Sequence, residues 1–221
     1  MKLNVFNRKH INRKNKNGPC AANGEVTSYE EIIPNHGNEE IDNVFTALRE
    51  KAIELTKTEP YMKTLLTQTI LHPESSNFNN AISRAIAARL VSSCGNNPIM
   101  CSNEISEIIK HAMSSTDLEY GHSMSDAVCQ DILACRRRDP ACETELEVVL
   151  FYKGFAALVC HRAARRHYTI GPRTLDGSTH LNEQRRFVSL WLQSQASAAF
   201  GVDIHPAGRF EKNGINKMHK T

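Results

Sequence analysis

From Ile41 onward, apolar residues recur at the three- and four-residue intervals of an α-helix. Val44, Leu48, Ala52 and Leu55 share one face, while Arg49, Glu50, Lys51 and Lys57 fall elsewhere. Pro60 ends this helix or opens the next one at its first position. Leu65, Leu66, Thr69 and Ile70 make a second apolar face, closed by His72-Pro73. A third helix, capped by Asn77 or Asn79, carries the small-residue face Ala81, Ile82, Ala85, Ile86, Ala88 and Leu90. Gly95-Asn96-Asn97-Pro98 breaks the pattern. A fourth helix follows with Asn103 as cap and Ile105, Ile108 and Ile109 inside. A fifth, with Ser125 as cap, runs through Ala127, Val128 and Ile132.

The stretch RRRDPACETELEVVLFYKGFAALVCHR, residues 136–162, is the centre of the pattern. Pro140 has no N–H and biases Asp139 away from the α region, so the incoming helix stops near Arg138. Thr144 then caps a new helix whose first turn holds Glu145 and Glu147, where the helix dipole favours acids. Leu146, Val149, Leu150, Phe155, Leu158 and Val159 keep helical spacing, which predicts one long core helix with a basic exit at Arg162, Arg165, Arg166 and His167. Gly154 inside it costs roughly 1 kcal/mol against alanine, which predicts a neighbouring helix passing close by. After a loop marked by Gly171-Pro172 and Asp176-Gly177, read as a surface insertion, the chain is helical again from Glu183 to Phe200. Phe187, Leu190, Trp191, Ser194 and Ala198 form its predicted face, and Gly201 its C-terminal glycine.

No run alternates β-branched residues between hairpin turns, so the fold class is all-α, a helical bundle with short connections. Residues 1–40 are rich in Asn, Lys and Gly and read as a disordered basic tail. Residues 41–201 form the helical body, and 202–221 a separate, divergent end. Hydrophobic residues make up 40% of the 221 and charged residues 23%, proportions of an ordinary globular protein. A formal charge of +3 does not argue for nucleic acid, and Arg162, Arg165, Arg166, Arg173, Arg185 and Arg186 lack interleaved aromatics, so they read as a solvated helix surface.

Seven cysteines with no CxxC read as reduced thiols. Cys129, Cys135 and Cys142 are evenly spread, but a metal site there would straddle a helix and the Pro140 turn, so no metal is expected. No run reaches the roughly 20 apolar residues of a membrane span. The expected compartment is cytoplasmic, with a plastid or mitochondrion as the alternative implied by the basic leader.

Three motifs in order, RDPAC, LFYKGFAALVCHR and FGVDIHPAGR, resemble the serine acetyltransferases of cysteine biosynthesis. NVFTALREKAIELTKTEP resembles the opening helix of that family, and the likeness runs over 44–209. It implies a helical N-terminal domain through which trimers associate into hexamers, followed by the start of a left-handed β-helix. It also implies transfer of an acetyl group from acetyl-CoA, as co-substrate and with no further cofactor, to the hydroxyl of L-serine. That hydroxyl is too weakly acidic to attack a thioester unaided, so the chemistry needs a general base and a carboxylate to orient it. By resemblance, Asp203 in DIHP orients the catalytic histidine and Asp139 in RDPA holds the serine ammonium group. A one-residue insertion brings His219 into the place of the base, with Met218 where the family has an aspartate.

Past Arg209 the likeness stops. Ile204 and Phe210 fit the six-residue step of a β-helix, Asn216 does not, and a solenoid needs about three coils for stability. The sequence therefore reads as an incomplete serine acetyltransferase without transferase activity of its own. The alternative is a non-catalytic oligomerisation or regulatory module that assembles with full-length enzyme. The family's isoleucine tail for docking into cysteine synthase has no counterpart in Lys220-Thr221, so that partner is not expected.

Overall fold

A computed structural model describes residues 36–93, 100–117, 122–169 and 183–208. The predicted tail up to residue 35, the break at 95–98, the insertion at 170–182 and the partial coil beyond Gly208 lie outside these residues.

The described chain is helical. Its elements are α1 (His36–Thr58), a 3-10 turn (Pro60–Met62), α2 (Lys63–Gln68), α3 (Phe78–Ser93), α4 (Ser102–Met113), α5 (Met124–Arg138), α6 (Glu145–Phe151), α7 (Lys153–Thr169) and α8 (Glu183–Phe200). Between α4 and α5, β1 (Thr116–Asp117) pairs antiparallel with β2 (His122–Ser123), with Thr116 opposite Ser123. No strand was expected there; two residues a side are too few for alternation to register.

α3 is the hub. Ala81, Ile82, Ala85, Ile86, Ala87 and Leu90 are fully buried on it, and it packs against α1, α2, α4, α6, α7 and α8. Leu48 and Ala52 of α1, Ile109 of α4, Ile132 of α5, Val149 of α6 and Val159 of α7 complete the same core. Each such aliphatic side chain taken out of water contributes about 1.5–3 kcal/mol. Even the polar residues of α3 are tied in: the buried Arg84 pairs with Glu74 and donates to Asn103 Oδ1 at 3.2 Å.

Several caps follow from the sequence and two differ. Asn77 Oδ1 accepts from Asn80 N at 3.0 Å, which selects Asn77 over Asn79 as the cap of α3. Thr144 caps α6 by accepting from Glu147 N. α4 begins earlier than Asn103 allows, because Glu104 reaches back to Cys101 N at 2.8 Å and the Asn103 side chain is engaged by Arg84. α5 is capped by Ser123, whose Oγ accepts from Asp126 N at 3.0 Å. Ser125 is instead buried, with its hydroxyl 2.7 Å from Asn79 Oδ1 and 3.1 Å from Met113 O.

The predicted long helix is two helices. At Tyr152 the backbone turns to φ −76, ψ 109, ending α6, and Tyr152 O then accepts from Ala156 N at 3.1 Å in the first turn of α7. Arg89 of α3 donates to the carbonyls around the break, Val149 O (3.1 Å), Tyr152 O (3.2 Å) and Phe151 O (3.3 Å). Gly154 faces open space, since a Cβ there meets nothing within 4 Å. Among the described residues no helix crosses it, and the glycine lines a groove. The face of α8 also differs from the predicted one. Ser189, Leu192, Ala196 and Phe200 are buried, whereas Phe187, Ser194 and Ala198 are exposed. Ser189 Oγ donates to Ala164 O at 2.6 Å, which sets that rotation against α7. Gly201 ends α8 at φ 74, where the left-handed region favours glycine.

Candidate functional site

The α5–α6 turn is built around Asp139. Its N–H closes α5 by donating to Cys135 O at 3.0 Å, and its own carbonyl accepts from Cys142 N at 3.1 Å. Oδ1 accepts from Ala141 N at 3.0 Å, an Asx turn that Pro140 favours by fixing its own φ. Oδ2 accepts from the Tyr152 hydroxyl at 2.9 Å. Hydrogen bonds with Cys142 and with Asp139 raise the Tyr152 phenol above its ordinary value, which keeps it protonated and a donor.

Around this carboxylate lies a groove of about 500 Å³. Asp131, Arg138, Asp139, Tyr152, Gly154 and Leu158 are among its lining residues. Asp131 on its wall accepts a two-pronged ion pair from Arg162, Nε to Oδ2 at 3.0 Å and Nη2 to Oδ1 at 3.2 Å. Burial raises the Asp131 carboxyl, and Arg162 opposes that shift. Asp131 is thus already engaged, whereas the Asp139 oxygens each hold one neutral donor and keep lone pairs for a cation.

Asp203 occupies a different place. It is exposed on the segment after α8, and the Gln193 amide donates to its Oδ1. That segment is clamped from below by α7. Arg165 Nη1 donates to Pro206 O (3.4 Å), Ala207 O (3.3 Å) and Gly208 O (3.1 Å). His161 is 5% exposed beneath it, where the backbone of Ile204 and Gly208 offsets part of the cost of charging its ring. Burial foremost, then Arg165 and Arg162, pushes His161 down to about 4. Tyr168 meets His205 edge-on with ring centroids 5.7 Å apart. A shallow depression lined by His161, Gln193, Val202 and Ile204 adjoins Asp203 and shares no lining residue with the Asp139 groove. Asp139 is held by Ala141 and Tyr152 and Asp203 by Gln193 of α8, and no contact joins the two carboxylates within the described residues. His219 lies outside them.

The sequence missed Tyr152, Arg89, His161 and the clamping role of Arg165. Tyr152 and Arg165 look like ordinary helix residues until the break at residue 152 and the path of 202–208 are known. For His161 the signal was a polar ring inside an apolar run, LVCHR. Cys129, Cys142 and Cys160 are core residues, and burial pushes Cys129 up to about 11 and Cys160 to about 12. Among the described residues no cluster of His, Cys, Asp and Glu is arranged to hold a metal ion. No described helix is long and apolar enough to cross a membrane.

The family described as "Serine acetyltransferase, N-terminal" matches residues 44–160. The chain is 35% identical over 179 residues to a serine acetyltransferase of Haemophilus influenzae, covering 81% of this chain and 57% of that protein. It is 28% identical to serine acetyltransferase 4 of Arabidopsis thaliana, covering 86% of this chain and 46% of that one. Among solved structures, soybean serine acetyltransferase complexed with serine superposes with a TM-score of 0.60 at 28% identity, covering 76% of this chain and 59% of that one. A serine acetyltransferase in complex with CoA gives 0.58 at 33% identity, covering 76% and 60%. The chain thus spans little more than half the length of the Haemophilus relative. The match covers the helices that build the Asp139 turn and its groove, and this chain belongs to the serine acetyltransferase family.

Proposed function

We propose that this chain serves the transfer of an acetyl group from acetyl-CoA to the hydroxyl of L-serine, and that its own groove supplies the amino-acid end of that reaction. The observation that carries the proposal is the Asp139 carboxylate. It is fixed by Ala141 N at 3.0 Å and by the Tyr152 hydroxyl at 2.9 Å, and it lines a groove wide enough for a small amino acid. A carboxylate held this way suits a primary ammonium, since charge-assisted hydrogen bonds are about twice as strong as neutral ones. The soybean relative whose structure is complexed with serine supports the choice of substrate.

In this account Asp203 orients the imidazole that takes the serine proton, and its segment is kept in place by Arg165 and Gln193. His219 is the chain's own candidate for that imidazole. Acetyl-CoA is the co-substrate. The helical bundle associates into trimers or hexamers, with Tyr61 (97% exposed) and Phe187 (74% exposed) the most exposed large apolar side chains among the described residues. Light scattering of the purified chain measures that assembly directly.

Serine binding is the step to test on this chain. Calorimetric titration of L-serine is expected to give a saturable heat that Asp139→Asn reduces roughly tenfold or more in affinity, the loss of a charge-assisted pair. Equal binding by the two proteins would remove Asp139 from the substrate site.

A further inference from the structure

Tyr152 stands at the one residue between α6 and α7, and the break there has no cause in its own sequence: neither proline nor glycine occupies the position. What the break achieves is visible in the contacts. The Tyr152 hydroxyl reaches 13 residues back to Asp139 Oδ2 at 2.9 Å. Arg89 from α3 donates to carbonyls at the break, at 3.1 Å and 3.2 Å from Val149 O and Tyr152 O. Arg89 therefore fixes the backbone from which the tyrosine projects. Asp139 in turn is held on both oxygens from two directions, by its own turn through Ala141 N and by Tyr152 from the α6–α7 break. A carboxylate with a donor on each oxygen cannot turn about its last side-chain bond without losing one of them. Asp139 and Tyr152 line the same groove, as does Gly154, which leaves the space beside them open.

We propose that Tyr152 is a positioning residue of the amino-acid subsite: its hydroxyl fixes the plane of the Asp139 carboxylate, so that the remaining lone pairs meet a primary ammonium in the groove. This rests on the assignment of Asp139 as the ammonium partner. Tyr152 acts through Asp139 and needs no contact with the substrate. The hydroxyl is the whole of the effect, so phenylalanine, which keeps the ring and its packing, is the informative substitution. A free carboxylate would have to be oriented at the moment of binding, and a pre-set one is spared that ordering cost.

The test uses the full 221-residue chain labelled at tyrosine Cζ, with the Tyr152 resonance assigned by its loss in Tyr152→Phe. The Cζ shift reports the hydroxyl hydrogen bond and is expected to move in Asp139→Asn without any ligand. L-serine titrated into the same samples is expected to bind Tyr152→Phe roughly tenfold more weakly than wild type, the loss expected when one hydrogen bond to a charged group is removed. Thermal unfolding of the phenylalanine variant checks that the chain remains folded. A Cζ shift unchanged in Asp139→Asn overturns the contact, and equal serine affinity in Tyr152→Phe overturns the positioning role. A wild-type chain that shows the Cζ response and no serine binding overturns the Asp139 assignment instead, so the two failures are told apart.

Discussion

The guanidinium of Arg89 lies 5.2 Å over the ring of Phe200, and the same group donates to the carbonyls that end α6. One side chain of the central helix thus touches the platform of Asp139 on one side and, on the other, the end of α8 that leads into Asp203. Arg89 is half-buried, and burial lowers its pKa from an ordinary value high enough to leave it charged at neutral pH. Arg89→Met is expected to destabilise the fold by about 2–3 kcal/mol, from lost charged hydrogen bonds and the cation–π contact. Lysine should restore only part of it, lacking the fork that spans several carbonyls. Urea unfolding followed by circular dichroism measures both, and equal stability of the methionine variant would show that the α6–α7 break stands without this strut.

Two glycines make opposite predictions. A Cβ on Gly154 meets nothing within 4 Å, so Gly154→Ala is expected to be neutral or to stabilise by up to about 1 kcal/mol. Gly201 has φ 74, so Gly201→Ala is expected to cost about 1–2 kcal/mol although there is room for its Cβ as well. The pair of melting temperatures separates space from backbone strain.

Those glycines also show what the sequence could and could not convey. Helix existence, the Pro140 turn, the Thr144 cap and most core positions follow from spacing alone, because period and turn chemistry are local properties. Gly154 was expected under a crossing helix because a helical pattern on both sides implied an unbroken one. The break comes from tertiary contacts, Tyr152 to Asp139 and Arg89 to the α6 carbonyls, and neither leaves a mark on the periodicity. The caps went astray for a similar reason: Ser125 and Asn103 are good capping residues already engaged by Asn79 and Arg84. On α8, spacing puts Phe187 on one face with Leu190, Trp191, Ser194 and Ala198. The rotation is instead set by Ser189 bonding Ala164 O, with Leu192 and Ala196 following it into the core.

Stability should fall with acid. His161 has an ordinary value of 6.5 and is pushed down to about 4 in the fold, by burial first and then by Arg165 and Arg162. The folded state therefore binds fewer protons than the unfolded chain between these values. Its contribution is fully present above pH 6.5 and is lost as pH falls through the window to about 4. His167, lowered chiefly by burial, adds a slope of the same sign. Asp131, raised by burial, adds the opposite sign, its contribution being present at low pH and lost as pH rises. His161→Gln should flatten the decline between pH 7 and 4.5 by up to about 3 kcal/mol. Urea midpoints across that range measure it, and an unchanged slope would mean that His161 does not titrate out of a buried neutral state.

Arg165 holds three successive carbonyls, at 3.4, 3.3 and 3.1 Å. Arg165→Ala is expected to raise amide hydrogen exchange across 202–208 by roughly tenfold while leaving α3 and α7 protected, since a local clamp of about 1–2 kcal/mol is lost. Uniformly faster exchange throughout the bundle would instead make Arg165 part of the global core.

The account turns on a primary ammonium meeting Asp139. Calorimetric titration of the chain with L-serine and, separately, with N-acetyl-L-serine puts that single chemical difference to the test. Saturable binding of serine with none of the acetylated compound is the predicted result. Equal binding of both compounds, or of neither, would contradict the assignment of the groove.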